Sequence, residues 1–97
     1  MSSEGPRRER LEDLRREIDR IDSGLIALLA ERMGIVERVV AVKTRDNLPA
    51  VIPERIEDVE AHVRAEAAAR GLEPDLAETV WRNLIDWVCR YEARHLG

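Results

Sequence analysis

The chain has 97 residues, 37% of them charged and 44% hydrophobic, and a net charge of −4. The apolar share excludes a disordered polyelectrolyte, the acidic balance argues against a nucleic-acid binder, and the single cysteine, Cys89, excludes an internal disulfide or a thiolate metal cage. A domain of this length buries only a marginal core by itself; with 3% aromatics and no Phe, that core must be Leu, Ile, Val and Ala, and oligomerisation is expected to supply the missing burial.

The first apolar pattern runs Leu11, Leu14, Ile18, Ile21, Leu25, Leu28, Ile35, Val39, Val42. Its steps alternate three and four once Arg32 is counted in the gap, which is a heptad seam. It predicts one helix over about residues 7–45, roughly 58 Å long, with residues 1–7 flexible. A helix that long needs a partner along its length, and a second copy of itself is the simplest one. Asp46-Asn47-Leu48-Pro49 breaks the pattern. Pro53 suits the first turn of a second helix, where a missing N–H costs nothing; Ile56, Val59, Val63 and Ala67 give it an apolar face. Gly71 reads as the residue after that helix's C-cap, with Leu72 folding back. Pro74 opens a third helix carrying Leu76, Val80, Trp81, Leu84, Ile85, Trp87, Val88 and Tyr91. The expected fold is all-α: a single domain over 1–97, three helices per chain with a long first helix, intertwined as a homodimeric helical bundle. No apolar run approaches the roughly 18 residues of a membrane span, and no signal-peptide hydrophobic region is present, so a soluble, cytoplasmic protein is expected.

Arg32 is the break in the seam. One plain account is a polar residue that sets register or pairs with a partner's acid. The other is a ligand: an unpaired buried guanidinium is costly, and a bound carboxylate offsets that cost through a bidentate, charge-assisted contact. Lys43 lies eleven residues on, nearly on the same face and about 16 Å along the axis, so the two long side chains can close on a small anion. Taken alone, Lys43 is a solvated lysine near a helix end. Arg15, seventeen residues before Arg32, is about 25 Å away along the axis and reaches a shared site only in an antiparallel helix pair; otherwise it is one surface arginine among several. Arg55, in the first turn of the second helix, opposes the helix dipole, which hints at a nearby anion. Glu92 extends the stripe Trp81, Ile85, Val88, and is either at a frayed helix end or partly buried. Asp58 and His62 are spaced like helix metal ligands but lack a third, so no metal is expected; Cys89 reads as a small core residue.

These residues sit in recognisable motifs. Leu14-Arg15-Arg16-Glu17-Ile18-Asp19-Arg20-Ile21-Asp22, followed by Leu28-Leu29-Ala30-Glu31-Arg32, resembles the first helix of the all-helical (type II) chorismate mutases, as does the Arg32–Lys43 spacing. The resemblance covers roughly residues 11–96. It implies a domain-swapped dimer with two sites for a chorismate-like dianion, and aromatic amino-acid biosynthesis through the shikimate pathway. It further implies that Arg15, given by the partner chain, binds a substrate carboxylate and Arg32 binds at the side-chain carboxylate. Lys43 donates to the ether oxygen of the breaking C–O bond, and Arg55 helps hold the ring-carboxylate end. Ile56 and Val88 line the site. Glu92 stands where many members carry Gln as the second donor to the ether oxygen, and it must be protonated to donate. Rearranging chorismate to prephenate needs no cofactor, metal or nucleophile; positioning and preorganised electrostatics supply the catalysis.

Two features depart from the family pattern. Ile52 and Ile56 replace a carboxylate pair that often contacts the substrate's C4 hydroxyl, and there Pro53-Glu54-Arg55-Ile56 with Trp87 looks more like the isochorismate pyruvate lyase branch; Glu92 is the second departure. The alternatives are therefore salicylate formation from isochorismate, a mutase acting on 4-amino-4-deoxychorismate, and a non-enzymatic helical dimerisation module. Arg32→Leu separates the last from the rest. In a dimerisation module the leucine repairs the seam and is neutral or stabilising in a thermal melt; in an enzyme it abolishes turnover while sedimentation shows the dimer intact.

Overall fold

The structure is a computed structural model and describes residues 8–96, so the expectation of a flexible 1–7 segment lies outside the described residues. Three helices follow in order: α1 Leu11–Asp46, α2 Pro53–Ala69 and α3 Pro74–Leu96. No strand occurs among the described residues. The start of α1 corrects the expected 7–45 span. Residues 8–10 are not helical, and the Arg10 carbonyl accepts the first bonds, from the N–H groups of Asp13 and Leu14. Arg8 and Arg10 would put cations at the positive end of the helix dipole, whereas Glu12 and Asp13 in the first turn complement it.

Both ends facing the inter-helix loops close in the same way. At the end of α1 the N–H of Leu48 bonds the Lys43 carbonyl and that of Asn47 the Thr44 carbonyl, with Asn47 at φ 57°. At the end of α2 the N–H of Leu72 bonds the Ala67 carbonyl and that of Gly71 the Ala68 carbonyl, with Gly71 at φ 73°. Each is a Schellman closure on a left-handed residue. Pro53 occupies the start of α2, as the sequence predicts, behind an N-cap Ile52 that makes no side-chain cap bond.

The chain divides into two compact units, residues 1–35 and 36–97. In the first, the described part is the N-terminal stretch of α1. Its seam is solvent-exposed: Leu11, Leu14, Ile18, Ile21, Leu25 and Leu28 are between 42% and 61% exposed. Burying the exposed half of such a side chain is worth ~1 kcal/mol, so the seam holds several kcal/mol of unused apolar surface.

The second unit holds the C-terminal turns of α1, with α2 and α3. Arg64 bonds Asp75 and Glu78, and Arg82 pairs with Glu60, which sets α2 and α3 antiparallel. Between them Val63, Ala67 and Ala77 are buried, with Val59 and Trp81 packed against them. The apolar residues of α3 divide between two faces. Ala77, Val88 and Glu92 are buried, while Leu76, Val80 and Trp87 are about half exposed. Trp87 stacks on Tyr91, and Tyr91 on His95, along the helix. Among the described residues no large side chain is fully buried, the small core expected of a short chain without Phe. Among the described residues no helix is long and apolar enough to cross a membrane.

The left-handed caps give a direct test. Gly71→Ala is expected to cost about 1 kcal/mol, because the added Cβ meets open space but the backbone stays at positive φ. Asn47→Gly is expected to be neutral or slightly stabilising; urea denaturation measures both.

Candidate active site

Lys43 lies in the last turn of α1 and Glu92 one turn before the end of α3. Their charged groups meet: Lys43 Nζ is 2.8 Å from Glu92 Oε1. The same ammonium donates to the main-chain carbonyl of Ala50, also at 2.8 Å. The two side chains are 12% and 10% exposed, so this ion pair is almost dry. Glu92 is the buried charged residue of the described chain. The reading of Glu92 as a residue of a frayed end and that of Lys43 as a solvated lysine both fail here. The helical stripe that carries Val88 inward carries Glu92 inward with it.

An ammonium has three N–H donors. Glu92 and Ala50 take two, leaving one for a further acceptor. Glu92 Oε1 accepts from Lys43, and no protein donor reaches Oε2 among the described residues. A buried, preoriented cation with a spare donor, beside a carboxylate with a spare oxygen, is suited to a ligand that accepts hydrogen bonds and carries negative charge.

Cys89 is half-buried one turn before Glu92. Burial first, and then the neighbouring Glu92 charge, push its thiol up, with Lys43 opposing. It is therefore a thiol at neutral pH and a packing residue, as its place beside Val88 suggests. Ile52 and Ile56, at the start of α2, are half-buried and Val88 is buried, so all three are apolar surface; Arg55 between them is exposed. Among the described residues Arg55 makes no ion pair, and neither do Arg15 or Arg32, although Arg16 and Arg20 pair with Asp13 and Glu17 on the same helix. Arg15 is exposed and Arg32 half-buried. Among the described residues no cluster of three His, Cys, Asp or Glu groups is placed to hold a metal.

Sequence reasoning singled out both Lys43 and Glu92 but not their contact, which is 49 residues apart in sequence. It missed Ala50 altogether. The contributing atom there is a main-chain carbonyl, which no residue type announces.

The family model for type II chorismate mutase matches residues 14–93. The chain is 44% identical over 72 residues to a T-protein from Enterobacter agglomerans, an alignment covering 74% of this chain and 19% of that protein. It is 30% identical over 82 residues to a 4-amino-4-deoxychorismate mutase from Streptomyces pristinaespiralis (84% and 64% covered). To a chorismate mutase from Methanocaldococcus jannaschii it is 26% identical over 78 residues (80% and 79% covered). The chain thus spans about a fifth of the length of the T-proteins it matches.

The buried pair makes a prediction about stability. Lys43→Met strands the Glu92 carboxylate without its partner and is expected to destabilise by ~2 kcal/mol or more. Lys43→Met combined with Glu92→Leu should recover most of that loss, because both buried charges are then gone; chemical denaturation of the four proteins of the cycle measures the coupling.

Proposed function

The chain belongs to the type II chorismate mutase family, and we propose that it catalyses the rearrangement of chorismate to prephenate as a homodimer, without a cofactor. The observation that carries this reading is the Lys43 ammonium: buried, held by two acceptors and left with one donor free. The reaction breaks a C–O bond as a C–C bond forms within one molecule, and negative charge grows on the ether oxygen. A fixed cationic donor at that oxygen stabilises the transition state more than the ground state. Lys43 is that donor. Removing one such donor typically costs about 100-fold or more in turnover.

The remaining cations hold the two carboxylates. Arg32 binds the side-chain carboxylate, Arg15 enters from the second chain, and Arg55 stands at the ring-carboxylate end. Their guanidinium groups lack protein acid partners among the described residues, which suits ligand-binding cations. Ile56 and Val88 form the apolar wall against which the ring packs. Glu92 is the second donor to the ether oxygen, a role it fills in its protonated form. The dimer rests on the exposed seam of α1 and the half-exposed Leu76, Val80 and Trp87 of α3, which together need more cover than one chain offers.

Incubation with chorismate is expected to give prephenate; salicylate from isochorismate as the sole product would overturn the reading. The sharing of sites is tested by mixing Arg15→Ala with Arg32→Ala, each nearly inactive alone. If Arg15 acts in trans, half the dimers formed at equal mixing are mixed and each has one intact site of two, so about a quarter of wild-type activity returns. If Arg15 acts within its own chain, nothing returns.

A further inference from the structure

We propose that the main-chain carbonyl of Ala50 is a positioning group for the rearrangement: it sets the Lys43 ammonium so that the third N–H is aimed at the reacting ether oxygen. The inference rests on the functional reading above, which makes Lys43 the donor. It goes beyond that reading by assigning the aim of the donor to the loop between α1 and α2.

Lys43 is the single lysine among the 16 lysine and arginine residues of the chain. At every other such position stands an arginine, whose donors lie in a planar fork matched to one carboxylate. An ammonium is compact and its three N–H groups diverge, so each can serve a different acceptor. One goes to Glu92 Oε1 and one to the Ala50 carbonyl, both at 2.8 Å. A lysine stem is long and flexible, and a single contact leaves Nζ free to swing about its partner. A second contact from a different element removes that freedom. With two N–H directions taken, the third is determined.

The two acceptors differ as fixtures. Glu92 holds Lys43 through a side chain that has rotamers of its own. The Ala50 carbonyl belongs to a planar peptide in a short loop fastened at both ends. On one side is the closure of α1, where Asn47 stands at φ 57° and the Leu48 N–H bonds the Lys43 carbonyl at 2.8 Å. On the other is the N-cap of α2, where extended Ile52 gives its carbonyl to the N–H groups of Arg55 and Ile56. Ala50 lies midway between Leu48 and Ile52. Pro49 narrows the path between the anchors, because its ring fixes its own φ and restricts Leu48 before it. Lys43 thus clips the loop twice, through its own carbonyl and through its ammonium. The Ala50 carbonyl is also neutral, so it directs the ammonium without cancelling the charge that the ether oxygen calls on.

A single-atom change tests this. In a full-length chain assembled with α-hydroxyisovaleric acid in place of Val51, the amide after Ala50 becomes an ester. Its carbonyl is a weaker acceptor, and every side chain is kept. The N–H that is lost makes no main-chain hydrogen bond among the described residues. With chorismate as substrate, kcat is expected to fall about tenfold while KM stays within about twofold of wild type. Because the chain has one lysine, isotopically labelled lysine gives one side-chain ammonium signal in a nitrogen-resolved NMR spectrum, and that signal should shift or broaden in the ester chain. An ester chain that turns over at the wild-type kcat, whatever its stability to urea, marks the carbonyl as structural only and overturns the inference, with the functional reading left intact. A fall in kcat with the ammonium signal unmoved also overturns it, since the effect then does not run through Lys43. If the ester chain lacks the helical signal in circular dichroism, Pro49→Gly takes its place. That variant frees the loop and should lower kcat more than it raises KM; an unchanged kcat overturns the inference. A helical, dimeric wild-type chain that does not convert chorismate overturns the functional reading and the inference with it.

Discussion

A helix of 36 residues is about 54 Å long, whereas α2 and α3, with 17 and 23 residues, reach only about 26 and 35 Å. That mismatch of lengths constrains everything else in this chain. A heptad seam runs the length of α1, and from Leu11 through Leu28 it is exposed. Hydrophobic burial is the main favourable term in folding. A chain whose buried apolar set among the described residues is Val36, Val63, Ala67, Ala77 and Val88 has little of that term to itself. In the proposed homodimer, assembly would serve folding as well as catalysis, since the surface that needs cover lies on the helix that carries Arg15 and Arg32.

Within residues 36–97 the Lys43–Glu92 pair does something that apolar packing cannot. Burying two charges costs several kcal/mol for each ion, and their attraction repays this only with good geometry and further hydrogen bonds. The Ala50 carbonyl supplies one such bond. A leucine and a methionine would fill the same space at less cost, so stability alone is a weak reason for the pair. What the pair provides is a cation held in one place by two acceptors, the preorganisation that the proposed chemistry calls on.

Much of the fold is legible in the sequence because its signals are local. Pro53 and Pro74 mark helix starts through the missing N–H, and Gly71 marks a left-handed cap through the missing Cβ. The position of Glu92 on an apolar stripe leaves a frayed end and burial both open, and the structure buries it. The start of α1 is less legible, since Arg8 and Arg10 fit the helical count while opposing the dipole, and periodicity does not weigh charge against position. The contact of Lys43 with Glu92 is not legible at all. Each residue is marked by its own helix, but the side chain it meets is decided by how α1 and α3 pack, 49 residues apart. Asn47 is intermediate: the sequence marks a break there, and the left-handed turn that makes the break is one that asparagine tolerates better than most residues.

The charge balance of the whole chain bears on how selective such a site must be. At −4, the overall field repels a dianion, so attraction has to come from close, weakly screened contacts rather than from long-range steering. Lys43 is paired with Glu92, which removes one positive charge from the approach. Arg15, Arg32 and Arg55 have no acid partner among the described residues and remain as the attractive charges, and guanidinium groups in that state read the spacing of two carboxylates by paired hydrogen bonds. In the proposed site the side chains of the apolar Ile52 and Ile56 would offer the ring neither charge nor hydrogen bond. Discrimination at that end therefore rests on shape and on the cost of desolvating whatever polar group the ring carries. An apolar wall rejects an added hydroxyl or amine only weakly, so under the proposed function the guanidinium groups and the Lys43–Glu92 pair would carry most of the recognition.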